Sequence, residues 1–183
     1  MITRGEDAEL SAIKNIAEMM CVAARTAPKA CGTDNLDILL IEGGIKDKIS
    51  NELKRICKET GIGFFGRDAL CVEASPVLFM IGTRFAPINC PKCGYCGFKD
   101  CAENKANKGI CFFNSNDLGI AVGSAASVAA DHRVDNRILF SAGRAALNLG
   151  IFPGNVKAVF GIPLSSSGKS PFFDRADCDP ESI

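Results

Sequence analysis

The sequence predicts a single α+β domain over residues 1–183, with helices flanking a sheet and a cysteine-rich segment inserted at residues 88–113. Three short apolar runs, 36–41, 76–82 and 156–162, have the length and the aliphatic content of buried strands. Between these runs, apolar residues recur every three or four positions, as in helices that pack one face on a core. With 183 residues and 47% hydrophobic content, the chain can enclose one such core.

Apolar periodicity, with glycine or proline at the ends, predicts five helices: 8–27, 47–60, 67–74, 117–132 and 135–149. We expect Asp135 to cap the last helix and residues 61–66 to form a flexible connection before the third. The fourth helix is rich in Gly, Ala and Ser, so another backbone can approach it closely. We therefore expect this helix to lie at a dimer seam.

Composition argues against two classes of partner. The formal net charge is zero, basic residues are dispersed, and the chain has no Trp and one Tyr, so we expect no nucleic-acid partner. No run approaches the roughly twenty apolar residues that a membrane-spanning helix needs, so we expect no membrane association.

The first residues lack the pattern of a signal peptide. We therefore expect a cytoplasmic protein whose ten cysteines are kept reduced.

Half of the cysteines fall between Cys90 and Cys111. Within this stretch Cys93, Cys96, Cys101 and Cys111 are separated by two, four and nine residues, and glycine directly follows the first two. An iron–sulfur cubane needs four thiolates that converge on one point, and short spacing lets neighbouring thiolates reach adjacent irons. Glycine permits the backbone to bend around a cluster and leaves N–H groups free to meet its sulfurs. The spacing therefore predicts a [4Fe-4S] cluster.

Two alternatives stay open for these thiols: a structural zinc site, and a redox or disulfide cluster without metal. Zinc sites usually have two pairs of ligands separated by a dozen or more residues, whereas these thiols are crowded into one loop. The choice of four ligands is open as well, because Cys90 can replace Cys93 or remain spare. The other cysteines are scattered and fit small buried side chains: Cys21, Cys31, Cys57, Cys71 and Cys178.

The run from Cys93 to Cys101, Cys-Gly-Tyr-Cys-Gly-Phe-Lys-Asp-Cys, precedes a short helical stretch and Cys111. This arrangement resembles the four-cysteine [4Fe-4S] module of corrinoid iron–sulfur proteins and of the ferredoxin-like subunit of the Rnf electron-transport complex. The resemblance implies that Cys93, Cys96, Cys101 and Cys111 are the ligands and that Cys90 is an extra thiol. The chain departs from the module in a shorter gap before Cys111 and in having no Pro directly after it.

Two further stretches resemble FMN-dependent nitroreductases. Residues 23–28, Ala-Ala-Arg-Thr-Ala-Pro, precede one strand, and residues 145–151, Ala-Ala-Leu-Asn-Leu-Gly-Ile, precede another at 156–163. With the cysteine insert between them, the whole chain resembles an uncharacterised family of ferredoxin-domain proteins from archaea and anaerobic bacteria. The nitroreductase resemblance implies a mixed sheet flanked by helices, built as an intertwined homodimer with FMN at the subunit interface.

The same resemblance leaves Arg25, Lys29 and Arg175 as the cations that could contact a flavin phosphate. Lys29 stands where nitroreductases usually have Ser, and their Arg-rich N-terminal phosphate motif has no counterpart before the first helix. The alternative for these three side chains is a solvated surface charge.

Two classes of function follow. The first is an FMN-linked oxidoreductase, in which a cluster passes single electrons to a flavin that reduces a small substrate. The second is an electron-transfer or cluster-sensing module without catalytic activity, which serves a redox partner protein or a small-molecule electron acceptor. A zinc-stabilised interaction domain is a third interpretation. A bound flavin distinguishes the first class from the second.

Overall fold

A computed structural model describes residues 2–173. In that range the chain forms six α-helices: Gly5–Thr26 (α1), Gly43–Thr60 (α2), Gly63–Glu73 (α3), Cys101–Ala106 (α4), Phe112–Asp131 (α5) and Phe140–Asn148 (α6). The same range contains four strands: Leu36–Ile41 (β1), Val77–Arg84 (β2), Asp135–Asn136 (β3) and Val156–Ser165 (β4). A short 3-10 turn, Ala30–Gly32, lies between α1 and β1. None of the helices described is both long and apolar enough to cross a membrane.

The four strands form one sheet in the order β1-β2-β4-β3. Every pairing among the described residues is antiparallel, so the predicted α+β class is confirmed while the expected mixed sheet is not seen in this part of the chain. A single crossover helix returns the chain to the sheet in the same direction and so favours parallel pairing. Here two helices, α2 and α3, separate β1 from β2, and the chain re-enters the sheet in the opposite direction.

Helices cover both faces of the sheet. Because side chains alternate along a strand, β2 contributes to two cores: Leu78 and Met80 pack with α2, α3 and α6, and Phe79 and Ile81 pack with α1 and α5. The contact between α1 and α5 is made by small, fully buried residues: Ala17, Ala24, Ala121, Ala125 and Ala129. The close approach expected for the Ala-rich helix is therefore made within the chain.

Two of the differences between the structure and the predicted elements have a clear physical reason. Gly63 and Gly66 belong to the first turn of α3 rather than to a flexible connection, because Phe65 is buried against the core and fixes this turn. Asp135 does not cap a helix. It lies in β3, where it pairs with Ser165 of β4, and the helix begins only at Phe140. Hydrogen bonds to a distant strand override the local capping preference at Asp135.

Candidate metal centre

The cysteine-rich segment forms a loop between β2 and α5 that encloses a pocket of about 260 Å³. All five cysteines of the segment line this pocket: Cys90, Cys93, Cys96, Cys101 and Cys111. The glycines after the first two predicted ligands have positive φ, 61° at Gly94 and 83° at Gly97. Glycine adopts this conformation without the steric cost that a side chain adds. The predicted bends therefore occur beside these thiols.

Two helices fix the last two thiols. Cys101 is the first residue of α4, whose N-terminus is capped by Asp100: Glu103 N–H donates to Asp100 Oδ1 at 2.9 Å, and Glu103 Oε2 accepts the N–H of Lys99 at 2.6 Å. Cys111 is the residue directly before α5 and is 7% exposed, whereas the other four pocket thiols are half-buried. A thiol at the start of a 20-residue helix lies near the positive end of its dipole.

Aromatic rings lie beside the pocket. The ring centroids of Tyr95 and Phe112 are 5.4 Å apart, and those of Phe112 and Phe113 are 5.5 Å apart. Tyr95 is 70% exposed and Phe112 is 43% exposed, so this aromatic group reaches the surface next to the thiols. Lys92 and Lys99 also line the pocket, which places two cations near the cysteines.

The charges of other cysteines act on the Cys90 thiol, and one of these cysteines, Cys31, is not among the residues that line the pocket. The pKa of the Cys90 thiol is raised by burial and then by the charges of four other cysteines: Cys31, Cys93, Cys101 and Cys111. Cys31 is exposed and lies on the 3-10 turn, which is tied to α5 where Ala30 N–H donates to Asp117 Oδ2 at 3.1 Å.

Sequence reasoning treated Cys31 as one of the scattered cysteines, because 58 residues separate it from Cys90. One local signal was available. Cys31 is followed by Gly32, as Cys93 and Cys96 are followed by glycine, and Gly32 also has a positive φ, of 64°.

The thiols surround open space rather than meeting at a point. Within residues 2–173, no group of three or more His, Cys, Asp or Glu side chains is arranged to hold a single metal ion. A cluster with four irons keeps its ligand sulfurs farther apart than one tetrahedral ion does, because each thiolate binds a different iron. Soft thiolate donors around a pocket suit such a cluster.

Two of the three predicted flavin-phosphate cations, Arg25 and Lys29, lie at the end of α1 and just after it, and both make contacts within the chain. Arg25 forms a salt bridge with Asp34 and donates to the Leu36 carbonyl at 3.1 Å. The Lys29 ammonium donates to the carbonyls of Ala24, Arg25 and Ala27 at 3.2, 2.7 and 2.7 Å.

An ammonium has three donors, so the three carbonyls use all of those of Lys29. The contacts described for Arg25 use only Nη1 of its guanidinium, and a phosphate contact by either side chain stays a prediction. Arg175 lies outside the described residues.

Residues 107–175 match a family described as "Uncharacterized protein containing a ferredoxin domain (DUF2148)". A protein of Archaeoglobus fulgidus, itself described as uncharacterized, is 38% identical over 184 residues, which cover 96% of this chain and 98% of the relative. The chain belongs to this DUF2148 family. The part of the chain that matches the DUF2148 family contains Cys111 and begins after the other four pocket cysteines.

Several solved structures similar to this DUF2148 protein are described as nitroreductases. Nitroreductase CinD from Lactococcus lactis, in complex with chloramphenicol, has a TM-score of 0.61 at 14% identity, over 92% of this chain and 85% of that one. A nitroreductase with bound FMN from Bacteroides fragilis has a TM-score of 0.57 at 12% identity, over 91% and 90%.

The hypothetical oxidoreductase YcnD from Bacillus subtilis has a TM-score of 0.57 at 14% identity, over 86% of this chain; the match spans only 59% of the YcnD chain. At these identities the similarity shows the fold alone. The predicted nitroreductase-like fold is confirmed.

Proposed function

We propose that this protein is an iron–sulfur redox protein that binds one [4Fe-4S] cluster in the cysteine pocket. The observation that carries the proposal is the meeting of five thiols around one pocket of about 260 Å³. Four cysteine thiolates are the usual ligands of such a cluster. Membership of a family described as containing a ferredoxin domain supports the same chemistry.

We assign the ligand roles to Cys93, Cys96, Cys101 and Cys111, with Cys90 as the extra thiol. The two loop ligands are each followed by a glycine of positive φ, which keeps side chains away from the cluster side of the backbone. The two helix ligands start α4 and α5, and the N-terminal dipole of α5 favours the charged thiolate of Cys111. Cys90 has neither feature, because Pro91 follows it.

The bound cluster would supply one-electron chemistry. The chain's own residues would control access to it: Tyr95, Phe112 and Phe113 exclude water from one side, and Lys92 and Lys99 offset the negative charge of four thiolates. Because the aromatic group is exposed, a redox partner protein or a small-molecule acceptor can approach the pocket closely there.

Between the two classes of function, the described residues favour an electron-transfer module over an FMN-linked oxidoreductase. The fold is that of nitroreductases, one of which is described with bound FMN. However, Arg25 is paired with Asp34 and the donors of Lys29 are satisfied by backbone carbonyls. A flavin phosphate would therefore have to use the other N–H groups of Arg25, displace the contacts of Lys29 or bind elsewhere.

We also propose that the protein is a homodimer and that the exposed face of α5 is its seam. This face carries Ile120, which is 40% exposed, and continues through Gly123, Ser127 and Ala130 at helical spacing. Small residues let the backbone of a second helix approach closely.

The test is the iron, acid-labile sulfide and zinc content of anaerobically purified protein, with a visible spectrum of the same sample. We expect about four irons and four sulfides per chain and no flavin bands. Zinc without sulfide would overturn the proposal and leave a structural site. Iron and sulfide together with FMN released on denaturation would instead identify a flavin-linked oxidoreductase.

A further inference from the structure

Two thiols near the cysteine loop have no role in the proposed cluster: Cys90, the extra thiol of the loop, and Cys31. Cys31 is exposed and lies on the 3-10 turn, whereas Cys90 is half-buried and lines the pocket. Both are free thiols in this structure. Thiol–disulfide exchange needs one thiol that an external disulfide can reach and a second thiol that can then attack the first.

The two chain segments that carry these cysteines leave the same end of the sheet. β1 and β2 are antiparallel, and their pairing extends one residue past the start of β1, where Arg84 N–H donates to the Asn35 carbonyl at 3.0 Å. From this point the chain runs back to Cys31 on one side and forward to Cys90 on the other. Residues 58 apart in the sequence are thus brought to one place in the fold.

Both segments are also tied to one face of α5. Ala30 N–H donates to Asp117 Oδ2 at 3.1 Å, and Ala86 N–H donates to Asn114 Oδ1 at 2.9 Å. Residues three positions apart lie on the same face of a helix, with a rise of about 4.5 Å between them. Cys31, which directly follows the first tether, is therefore held beside the loop that begins at the second.

Electrostatic interactions between the thiols agree with this placement. Burial raises the pKa of the Cys90 thiol most, and among the charges that raise it further that of Cys31 has the largest effect, ahead of that of Cys93. Cys93 is only three residues from Cys90 in the chain. Because the interaction of two charges falls with distance, Cys31 is a close neighbour of Cys90 in the fold.

We propose that Cys31 and Cys90 form a redox-active dithiol that exchanges with small disulfides of the glutathione class. The exposed Cys31, as a thiolate, attacks one sulfur of the external disulfide, and the other half leaves as a thiolate that takes up a proton. Cys90 then loses its proton and attacks the Cys31 sulfur, so that a Cys31–Cys90 bond forms and the second half leaves. The protein dithiol is oxidised by two electrons, and the external disulfide is reduced to two thiols.

The location of the two cysteines permits this bond. A disulfide requires Cα atoms within about 7 Å of each other. Cys31 and Cys90 both lie outside the α-helices and the strands, so their backbones can approach without moving an element that packs on the core. The four assigned cluster ligands take no part in the exchange. The pairing rests on the proposed function, in which Cys90 is the extra thiol.

Peptide mapping can identify the bond directly. Trypsin, which cuts after Lys and Arg, releases Cys31 in residues 30–46 and Cys90 in residues 85–92, and neither peptide contains another cysteine. The next peptide, 93–99, carries the two loop ligands. The experiment treats anaerobically purified, cluster-loaded protein with oxidised glutathione, alkylates the remaining thiols, digests with trypsin and reads the peptides by mass spectrometry without reduction.

We expect the free peptides 30–46 and 85–92 to be lost and one linked peptide to appear in their place, while the iron and sulfide content stays unchanged. Cys31→Ser should abolish the linked peptide and keep the iron, whereas Cys21→Ser, which removes a thiol from α1, should leave the linked peptide in place. In Cys90→Ser, Cys31 should stop at the mixed disulfide with glutathione, because the attacking thiol is gone.

Two results in the wild type would overturn the pairing: recovery of Cys31 only as the mixed disulfide with glutathione, or linkage of residues 30–46 to residues 93–99. Iron and acid-labile sulfide are measured on the same sample before oxidation. Absence of both would overturn the proposed function itself, whereas a loaded protein without the linked peptide would overturn only the Cys31–Cys90 pair.

Discussion

The carbonyl oxygen of Val159 occupies the space that a side chain on Gly143 would need: a Cβ on this glycine would lie 1.8 Å from it. Helix α6 therefore rests directly on the backbone of β4, with Ala142 and Ala146 fully buried on either side of the contact. Backbone atoms cannot move aside as the end of a flexible side chain can. The contact sets the distance between α6 and the sheet.

The first prediction concerns this contact. Gly143→Ala should lower the free energy of unfolding by about 3 kcal/mol, because the added methyl overpacks a site bounded by backbone. Gly44→Ala is the matched control: Gly44 is also a helical glycine, has nothing within 4 Å of its Cβ position and should gain up to about 1 kcal/mol. Urea unfolding measures both variants. Similar effects in the two would contradict the close packing.

A second prediction concerns Glu52, which joins α2 to α6. Its carboxylate accepts bonds from Arg55 Nε and Nη2, both at 2.7 Å, and from Asn148 Nδ2 at 2.8 Å. The bond from Arg55 lowers the pKa of Glu52, burial opposes this effect, and the bond from Asn148 adds to it. Because the folded-state pKa is the lower one, Glu52 stabilises the fold above its unfolded pKa of about 4.3. This contribution is lost as the pH falls through the folded-state value.

Glu52→Gln should therefore lower the free energy of unfolding by about 1.5 kcal/mol at neutral pH and flatten its decline in acid. Unfolding curves between pH 7 and pH 3 measure both effects. Asn148→Ala removes only one of the bonds and should cause part of the same change. A decline in acid as steep in Glu52→Gln as in the wild type would argue against this account.

The third prediction tests the ligand assignment. Cys96→Ser and Cys101→Ser should abolish iron binding, because an alcohol is a far weaker acid than a thiol and a harder, poorer donor to the irons of a cluster. Cys21→Ser should retain full iron, since Cys21 lies on α1 and not in the pocket. Iron and acid-labile sulfide, measured after anaerobic purification, give the result. Full iron occupancy in either ligand variant would refute the assignment.

The role of Cys90 needs its own comparison, because it lines the same pocket as the assigned ligands. If it is the extra thiol, Cys90→Ser should keep about four irons per chain, whereas Cys93→Ser should lose them. The reverse result would exchange the roles of Cys90 and Cys93 and leave the proposed cluster intact.

Patterns within short stretches predicted three of the four described strands and the gathering of the cysteines around one pocket, but not the pairing of the sheet. The run 156–162 lies within β4, and the crowding of thiols in one loop brought all five pocket cysteines together. Both depend on residues that are near one another in the chain. Apolar content predicts a buried strand, and the spacing of cysteines predicts a ligand loop.

Features that depend on distant contacts were missed or wrongly assigned. Asp135 looked like a helix cap until its pairing with Ser165 was seen. Cys31 is distant from Cys90 in the sequence but close enough in the fold for its charge to raise the Cys90 pKa, and the Ala30–Asp117 hydrogen bond ties its turn to α5. None of these partners is visible in the local sequence.

The last prediction concerns the proposed dimer. Gly123 lies on the exposed face of α5 and has nothing within 4 Å of its Cβ position, so Gly123→Trp should disturb a partner helix without disturbing the fold. Ala126 is a poorer test site, because it packs against the core beneath α1 and α5. We expect Gly123→Trp to convert a dimer to a monomer in sedimentation equilibrium, whereas Gly44→Trp, at an equally open position on α2, should leave the mass unchanged. An unchanged mass for Gly123→Trp would place the seam elsewhere, because a Trp side chain cannot fit where two backbones lie in contact.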